Sequence, residues 1–305
     1  MDNTLVEQFI QYIRASRGLS ERTAEVYGKA LRYLSAFCTE LDEGLTWQTL
    51  DTDILRRWLS AYMERGVQAR TVRPLLAAVR TFYHYLLREG HVSEDPAYKL
   101  LPPKVPKTLP SFLKRSEVDR LLHSVAYADT FMGHRDRAIM ATLCTTGIRA
   151  GEILGLQLAD VDLQEGQLKV TGKRNKQRIV PFGPELAATL EAYLAARRTA
   201  PDAPAGQADC PAFFLSAKGK PMRYEQLWKV VRGVLGSVTS LKKRSPHTLR
   251  HTFATIMLDN GGDLEAIQQL LGHESVATTE IYTHTSFAEL REQYAKAHPH
   301  ARKEE

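Results

Sequence analysis

The 305-residue chain lacks the features that mark several classes of protein. It has no run of about 18 apolar residues, which excludes a membrane-spanning helix. Its amino terminus lacks the basic start and apolar stretch of a signal peptide, so we expect a cytoplasmic protein with no membrane partner. Its three cysteines, Cys38, Cys144 and Cys210, predict neither a disulfide framework nor a CxxC metal pair.

The charge of the chain is moderately basic. Lys and Arg total 41 against 35 Asp and Glu, which gives a net charge of +6. Such an excess is compatible with nucleic-acid binding, but many basic proteins bind no nucleic acid. The length predicts about two domains, and the 43% hydrophobic composition is that of a globular protein. The position of the charges must therefore decide the function.

A proline-rich segment divides the chain. Residues 101–110 hold four prolines, which exclude a helix or a central strand and favour an extended linker. We therefore predict a domain over residues 1–100, a linker over 101–110 and a second domain over 111–305.

The first domain has the pattern of a four-helix bundle. Thr4 begins a capping box for the first helix, and Ser20 can cap the second. Asp51 or Thr52 can begin the third helix. The fourth is predicted from about residue 71 to 88, with Pro74 tolerated in its first turn.

The second domain is predicted to be mostly helical with a small sheet. Residues 167–171 and 178–181 have the pattern of a hairpin, and residues 213–216 that of a third strand. Helices are predicted near residues 116–125, 134–145, 150–156, 184–198, 224–237, 247–260, 263–271, 276–282 and 286–296.

Two segments of this domain carry polar residues that a plain core does not need. At residues 145–154, a glycine-broken turn places Arg149 at the start of a helix, where Glu152 can hold its guanidinium. This is a candidate phosphate site or an ordinary surface ion pair. The hairpin tip carries four cations, which suit a nucleic-acid groove or a solvated turn. They are Lys173, Arg174, Lys176 and Arg178.

Two further segments add histidines and a tyrosine. His247 and Arg250 are three residues apart and project from one helix face, after the basic cluster Lys242, Lys243 and Arg244. His251 has the spacing of a zinc ligand with His247, but no third and fourth ligand is evident, so we predict a packed or capping histidine and no metal site. His273 follows the helix stop Gly272, and Tyr282 lies about two helical turns after the cap Ser275.

Together these residues match a single chemistry. A tyrosine oxygen can attack a phosphodiester, while arginines neutralise the transition state without a metal. A histidine can take the tyrosine proton and a lysine can protonate the leaving 5′ oxygen.

The sequence closely resembles the tyrosine recombinases, and among them the Xer-type enzymes. The resemblance is carried by TTGIRAGEIL at 145–154, GKRNKQRIVPF at 172–182, SPHTLRHTFAT at 245–255, LLGHESVATTEIYTH at 270–284 and TFYHYLLREGHVSEDPA at 81–97. It implies a mainly α fold, with an amino-terminal four-helix, SAM-like core-binding domain and a mostly helical catalytic domain with a small antiparallel sheet.

The resemblance also implies the role of each site residue. The catalytic set would be Arg149, Lys173, His247, Arg250, His273 and the nucleophile Tyr282, supported by Glu152. Lys176 is the rival for the role of the lysine. Further DNA contacts are expected from Arg174, Lys176, Lys242, Lys243 and Arg244.

The implied partners are double-stranded DNA with a specific site, a related or identical recombinase in a tetramer, and a DNA translocase as activator. No cofactor, metal or ATP is expected. The implied role is the resolution of chromosome or plasmid dimers at cell division through a Holliday junction. Alternatives are an integrase of a phage or mobile element, a type IB topoisomerase and a non-catalytic DNA-binding protein. A carboxy-terminal helix bearing Phe287, Leu290 and Tyr294 is predicted to dock on a neighbouring subunit.

Overall fold

The structure, a computed structural model, describes residues 1–15, 19, 21–104, 111–172, 175–203, 210–272 and 287–299. The chain forms two compact units, Met1–Thr108 and Leu109–Glu305. The boundary between them falls in the proline-rich segment at residues 101–110.

The amino-terminal unit is built from four helices, as its sequence predicts. Its helices are α1 (Asn3–Ala15), α2 (Glu21–Leu41), α3 (Thr52–Glu64) and α4 (Ala69–Arg88). Each helix buries one apolar stripe, and aromatic side chains such as Phe9 and Phe82 are fully buried between them. Asp51 caps α3, because its carboxylate accepts a hydrogen bond of 2.8 Å from the Ile54 N–H.

Two details of this unit differ from the prediction. Asp2, rather than Thr4, caps α1, since its carboxylate accepts a hydrogen bond from the Thr4 N–H at 2.8 Å. Pro74 lies inside α4 and not in its first turn, because the helix begins at Ala69. Packing of the α4 stripe extends the helix toward its amino terminus, beyond the start that the proline suggested.

The second unit is mostly helical. Its helices are α5 (Arg115–Asp119), which continues into a π-helical turn (Arg120–Ser124), α6 (Phe131–Thr146), α7 (Ala150–Gly155), α8 (Pro184–Thr199), α9 (Tyr224–Val238), α10 (Pro246–Asp259), α11 (Leu264–Leu271) and α12 (Phe287–Ala297). A 3₁₀ turn covers Leu158–Asp160. The helix predicted at 276–282 lies outside the described residues.

A three-stranded antiparallel sheet completes this unit. Its strands are β1 (Val161–Asp162), β2 (Gln167–Thr171) and β3 (Gln177–Pro181), in the order β1-β2-β3. The hairpin of β2 and β3 confirms the prediction, with Thr171 opposite Gln177. The predicted third strand at 213–216 is wrong: β1 takes that place, and the segment makes an isolated bridge at Leu215.

Helix α12 packs on its own chain. Tyr294 is buried among residues of α10 and α11, and its ring stacks on His298 at 5.1 Å between centroids. In this single chain, a residue predicted to contact a neighbouring subunit is therefore covered by its own unit. The side chain of Phe287 lies outside the described part of the chain.

Within the described residues, none of the helices has the length and apolarity needed to cross a membrane. The same residues contain no group of three His, Cys, Asp or Glu side chains that could hold a metal ion.

Candidate active site

The turn between α6 and α7 places the first arginine. Gly147 ends α6 with φ of 61°, a left-handed conformation that favours glycine. A Cβ atom at this position would lie 2.5 Å from Cδ1 of Phe253, so no larger residue fits without movement. Two residues later, Arg149 stands at the amino-terminal cap of α7.

Glu152 holds Arg149 from the first turn of α7, as the sequence predicts. Its Oε1 accepts a hydrogen bond from Arg149 Nη1 at 2.9 Å, and its Oε2 accepts one from the Arg149 backbone N–H at 2.8 Å. A second arginine, Arg178 of β3, donates from Nη1 to Oε1 at 2.7 Å and from Nη2 to Oε2 at 2.9 Å. One buried carboxylate therefore accepts hydrogen bonds from two arginines.

The charge state of Glu152 follows from these contacts. Burial by itself would raise the pKa of this carboxyl, because desolvation penalises the charged form. The hydrogen bonds from Arg178 and from the Arg149 backbone outweigh that effect and lower the pKa to about 2. Glu152 is therefore ionised at neutral pH.

Arg250 projects from α10 into the same region and is buried. Its Nη1 donates to the Gly147 carbonyl at 2.8 Å, and its Nη2 donates to the Leu271 carbonyl at 2.6 Å. Burial, followed by the neighbouring charge of Arg149, lowers the pKa of Arg250 to about 10. It remains a cation at neutral pH.

Three consecutive carbonyl groups at the end of α11 each accept a hydrogen bond from a different arginine. The Leu270 carbonyl accepts from Arg178 Nε at 2.7 Å, that of Leu271 from Arg250, and that of Gly272 from Arg149 Nη2 at 2.7 Å. A helix leaves its last carbonyls without helical partners and carries partial negative charge there. The end of α11 therefore gathers three guanidinium groups, which we call the arginine cluster: Arg149, Arg178 and Arg250.

The other predicted basic residues that the structure describes lie outside this cluster. His247 is exposed on α10, and Lys176, Lys242 and Lys243 are also exposed. Arg244 is half-buried, and its Nε donates to the Leu241 carbonyl at 2.9 Å.

The prediction that His251 is packed or capping is wrong, because its side chain is exposed on α10. The helical spacing of His251 and His247 could not show which face of α10 the core covers. Arg250, between them, takes the buried position.

Four predicted site residues lie outside the described residues: Lys173, Arg174, His273 and Tyr282. The described residues that precede two of them, Lys173 and His273, lie at the cluster. Gly172 directly precedes Lys173, and a Cβ atom added at Gly172 would lie 3.4 Å from Oε1 of Glu152. Gly272, directly before His273, offers its carbonyl to Arg149.

The prediction from sequence counted Arg178 among the cations of the hairpin tip and also began the predicted strand at 178–181 with it; the structure places it in the strand β3, half-buried. Arg178 pairs with Val170 across the hairpin, and Val180 pairs with Leu168. Side chains alternate along a strand, so Arg178 shares the face of the buried Val180. The signal that could have identified Arg178 as a site residue was its position two residues before Val180, on the strand face that the apolar residues occupy.

Comparisons with known proteins agree with this fold. The Phage integrase family model matches residues 111–289, and the model of the Phage integrase N-terminal SAM-like domain matches residues 6–90. The chain is 36% identical over 300 residues to tyrosine recombinase XerD of Listeria monocytogenes, covering 98% of this chain and 100% of that protein. It is 38% identical over 298 residues to tyrosine recombinase XerC of Pelobacter propionicus, covering 97% and 96%.

Solved structures with the same fold include XerH site-specific recombinase bound to its difH substrate. It is 23% identical, with a TM-score of 0.68, and the match covers 94% of this chain and 83% of that chain. The two family matches and the relatives at 36% and 38% identity define a site-specific DNA recombinase. The chain belongs to the phage integrase family, and within it to the Xer-type tyrosine recombinases.

Proposed function

We propose that Arg149 and Arg250 bind the scissile phosphate of a specific site in double-stranded DNA. The observation that carries this proposal is the convergence at the arginine cluster of Gly172 and Gly272, the residues that precede Lys173 and His273. Guanidinium groups match the geometry of phosphate oxygens and keep their charge. They can therefore stabilise the added charge of a pentavalent transition state.

The proposed nucleophile is Tyr282. Its oxygen attacks phosphorus, the bond from phosphorus to the 5′ oxygen breaks, and a 3′-phosphotyrosyl bond forms. His247 assists removal of the phenolic proton, and Lys173, with Lys176 as its rival, donates a proton to the leaving oxygen. His273 joins the two arginines in holding the non-bridging oxygens.

Rejoining reverses these steps on a partner strand. Its 5′-hydroxyl attacks the phosphotyrosyl bond, and Tyr282 leaves and regains a proton. The phosphotyrosyl bond conserves the energy of the broken phosphodiester, so this chemistry uses no ATP. The arginines neutralise the charge of the phosphate, so the proposal includes no metal or other cofactor. Two such exchanges pass through a Holliday junction and need four active sites, which a homo- or hetero-tetramer on two DNA sites supplies.

The physiological role that we propose is the resolution of chromosome or plasmid dimers in the cytoplasm at cell division, with a DNA translocase as activator. The relatives named XerC and XerD are similar to this protein along almost its whole chain, and this similarity supports the role over integration of a mobile element. Further DNA contacts are assigned to Arg174, Lys242, Lys243 and Arg244. Residues 1–100 would act as the core-binding domain and residues 111–305 as the catalytic domain, joined by the linker at 101–110.

A nicked suicide substrate tests this proposal. The duplex carries the chromosomal sequence that the protein footprints, with a nick beside the cleavage point so that the short 5′-hydroxyl fragment diffuses away. We expect a covalent adduct with the native protein and with Tyr224→Phe, an exposed tyrosine of α9, but none with Tyr282→Phe. An adduct that persists in Tyr282→Phe, or a footprinted site that gives no adduct, would overturn the proposal.

A further inference from the structure

The carboxylate of Glu152 is shared by two arginines that differ in exposure. Both Nη1 atoms, of Arg149 and Arg178, donate to the same oxygen, Oε1. The Arg149 side chain is 39% exposed, whereas that of Arg178 is 17% exposed. Arg149 therefore lies on the side of the carboxylate that a substrate can reach, and Arg178 lies on the inner side.

The charges of this group show what Arg178 contributes. A pair of Glu152 and Arg149 alone would be neutral, and the carboxylate would compete with a DNA phosphate for the Arg149 guanidinium. Arg178 adds a second positive charge on the inner side, through two hydrogen bonds. The three residues then carry a net charge of +1 at neutral pH.

We propose that Arg178 is a positioning residue that serves as the counter-ion of Glu152, so that the charge of Arg149 remains available to the scissile phosphate. This inference rests on the proposed function, in which Arg149 binds that phosphate. Arg178 acts through Glu152 and does not touch the substrate.

The geometry of Arg178 gives it a second task that a lysine could not perform. Its Nε donates to the Leu270 carbonyl while both Nη atoms bind Glu152. The planar fork of the guanidinium thus connects β3 to the first turn of α7 and to the end of α11. A single ammonium group cannot make this set of directed contacts.

The experiment compares single-turnover cleavage of the suicide substrate by Arg178→Gln, Glu152→Gln and the double variant. We expect Arg178→Gln to slow cleavage by about tenfold or more, which is the order of effect that one unit charge exerts on another across roughly 10 Å at an effective dielectric constant near 20. Because the double variant lacks the uncompensated carboxylate, it should cleave faster than Arg178→Gln. Independent effects would multiply and make it slower.

Arg135 provides a matched control. It is a buried arginine of the same unit that binds Asp136 through Nε and Nη2, at 2.9 and 2.6 Å, and donates from Nη1 to the Leu215 carbonyl. If the loss in Arg178→Gln reflects folding alone, Arg135→Gln at equal thermal destabilisation should slow cleavage as much. The melting temperature of each variant, measured by circular dichroism, shows whether the destabilisation is equal. If Arg178→Gln folds poorly, the double variant, in which neither charge of the Glu152–Arg178 pair is present, still tests the inference.

Two results would overturn the inference: cleavage by Arg178→Gln within twofold of the native rate, or a double variant as slow as the product of the single effects. Failure of the proposed function is distinguishable, because the native protein itself would then form no adduct through Tyr282.

Discussion

The ionised, buried state of Glu152 predicts how the stability of the catalytic unit depends on pH. Its pKa falls from an ordinary value of 4.5 to about 2 in the folded protein. A shift of this size corresponds to about 3 kcal/mol of stabilisation at neutral pH. Since the folded pKa is the lower one, this stabilisation is complete above pH 4.5 and is lost as the pH falls toward 2.

The perturbation that isolates this effect is Glu152→Gln, which keeps the side-chain shape and removes the titration. The free energy of unfolding of the native protein, minus that of Glu152→Gln, should decrease by about 1 kcal/mol between pH 7 and pH 3.5. The difference should be constant between pH 6 and pH 8.

Urea unfolding followed by fluorine NMR of 5-fluorotryptophan can measure this difference in the intact chain. The protein has three tryptophans: Trp47 and Trp58 in the amino-terminal unit and Trp228 in α9 of the second unit. The Trp228 resonance therefore reports the unit that contains Glu152. A difference at Trp228 that does not change between pH 7 and pH 3.5 would refute the reasoning.

Three further predictions concern single residues. Arg149→Ala and Arg250→Ala should nearly abolish adduct formation on the suicide substrate while filter binding to the site changes little; a loss of affinity alone would contradict their role. Gly147→Ala should lower the free energy of unfolding by about 2–4 kcal/mol, because left-handed backbone and overpacking against an α10 ring both oppose it. Gly151→Ala, with open space around its Cβ, is the control and should not destabilise. Lys242→Ala should weaken binding to all DNA sequences and flatten its salt dependence, and a sequence-selective loss would refute that assignment.

Local patterns were sufficient for much of the fold. The four helices α1–α4 and the β2–β3 hairpin confirm predictions made from spacing and turn residues. The strand β1 was missed because two residues are too short to show an alternating pattern. The assignment of residues 213–216 to a strand was wrong because a short apolar run is compatible with a buried loop as well as with a strand.

The site divides in the same way between local and distant information. The contact between Arg149 and Glu152 spans three residues, and the sequence predicted it. The contacts of Arg178 with Glu152 and of Arg250 with Gly147 join residues 26 and 103 positions apart. Contacts of this range depend on the packing of α7 against the β2–β3 hairpin and of α10 against α6, which no local pattern encodes.

The covalent intermediate offers the most direct test of the central claim. The adduct formed on the suicide substrate is digested with trypsin and nuclease, and the joined peptide and nucleotide are sequenced by mass spectrometry. The account predicts a 3′-phosphate on the side chain of Tyr282, with a free 5′-hydroxyl on the released fragment. A phosphate on another residue, or a bond to the 5′ end of the DNA, would contradict it.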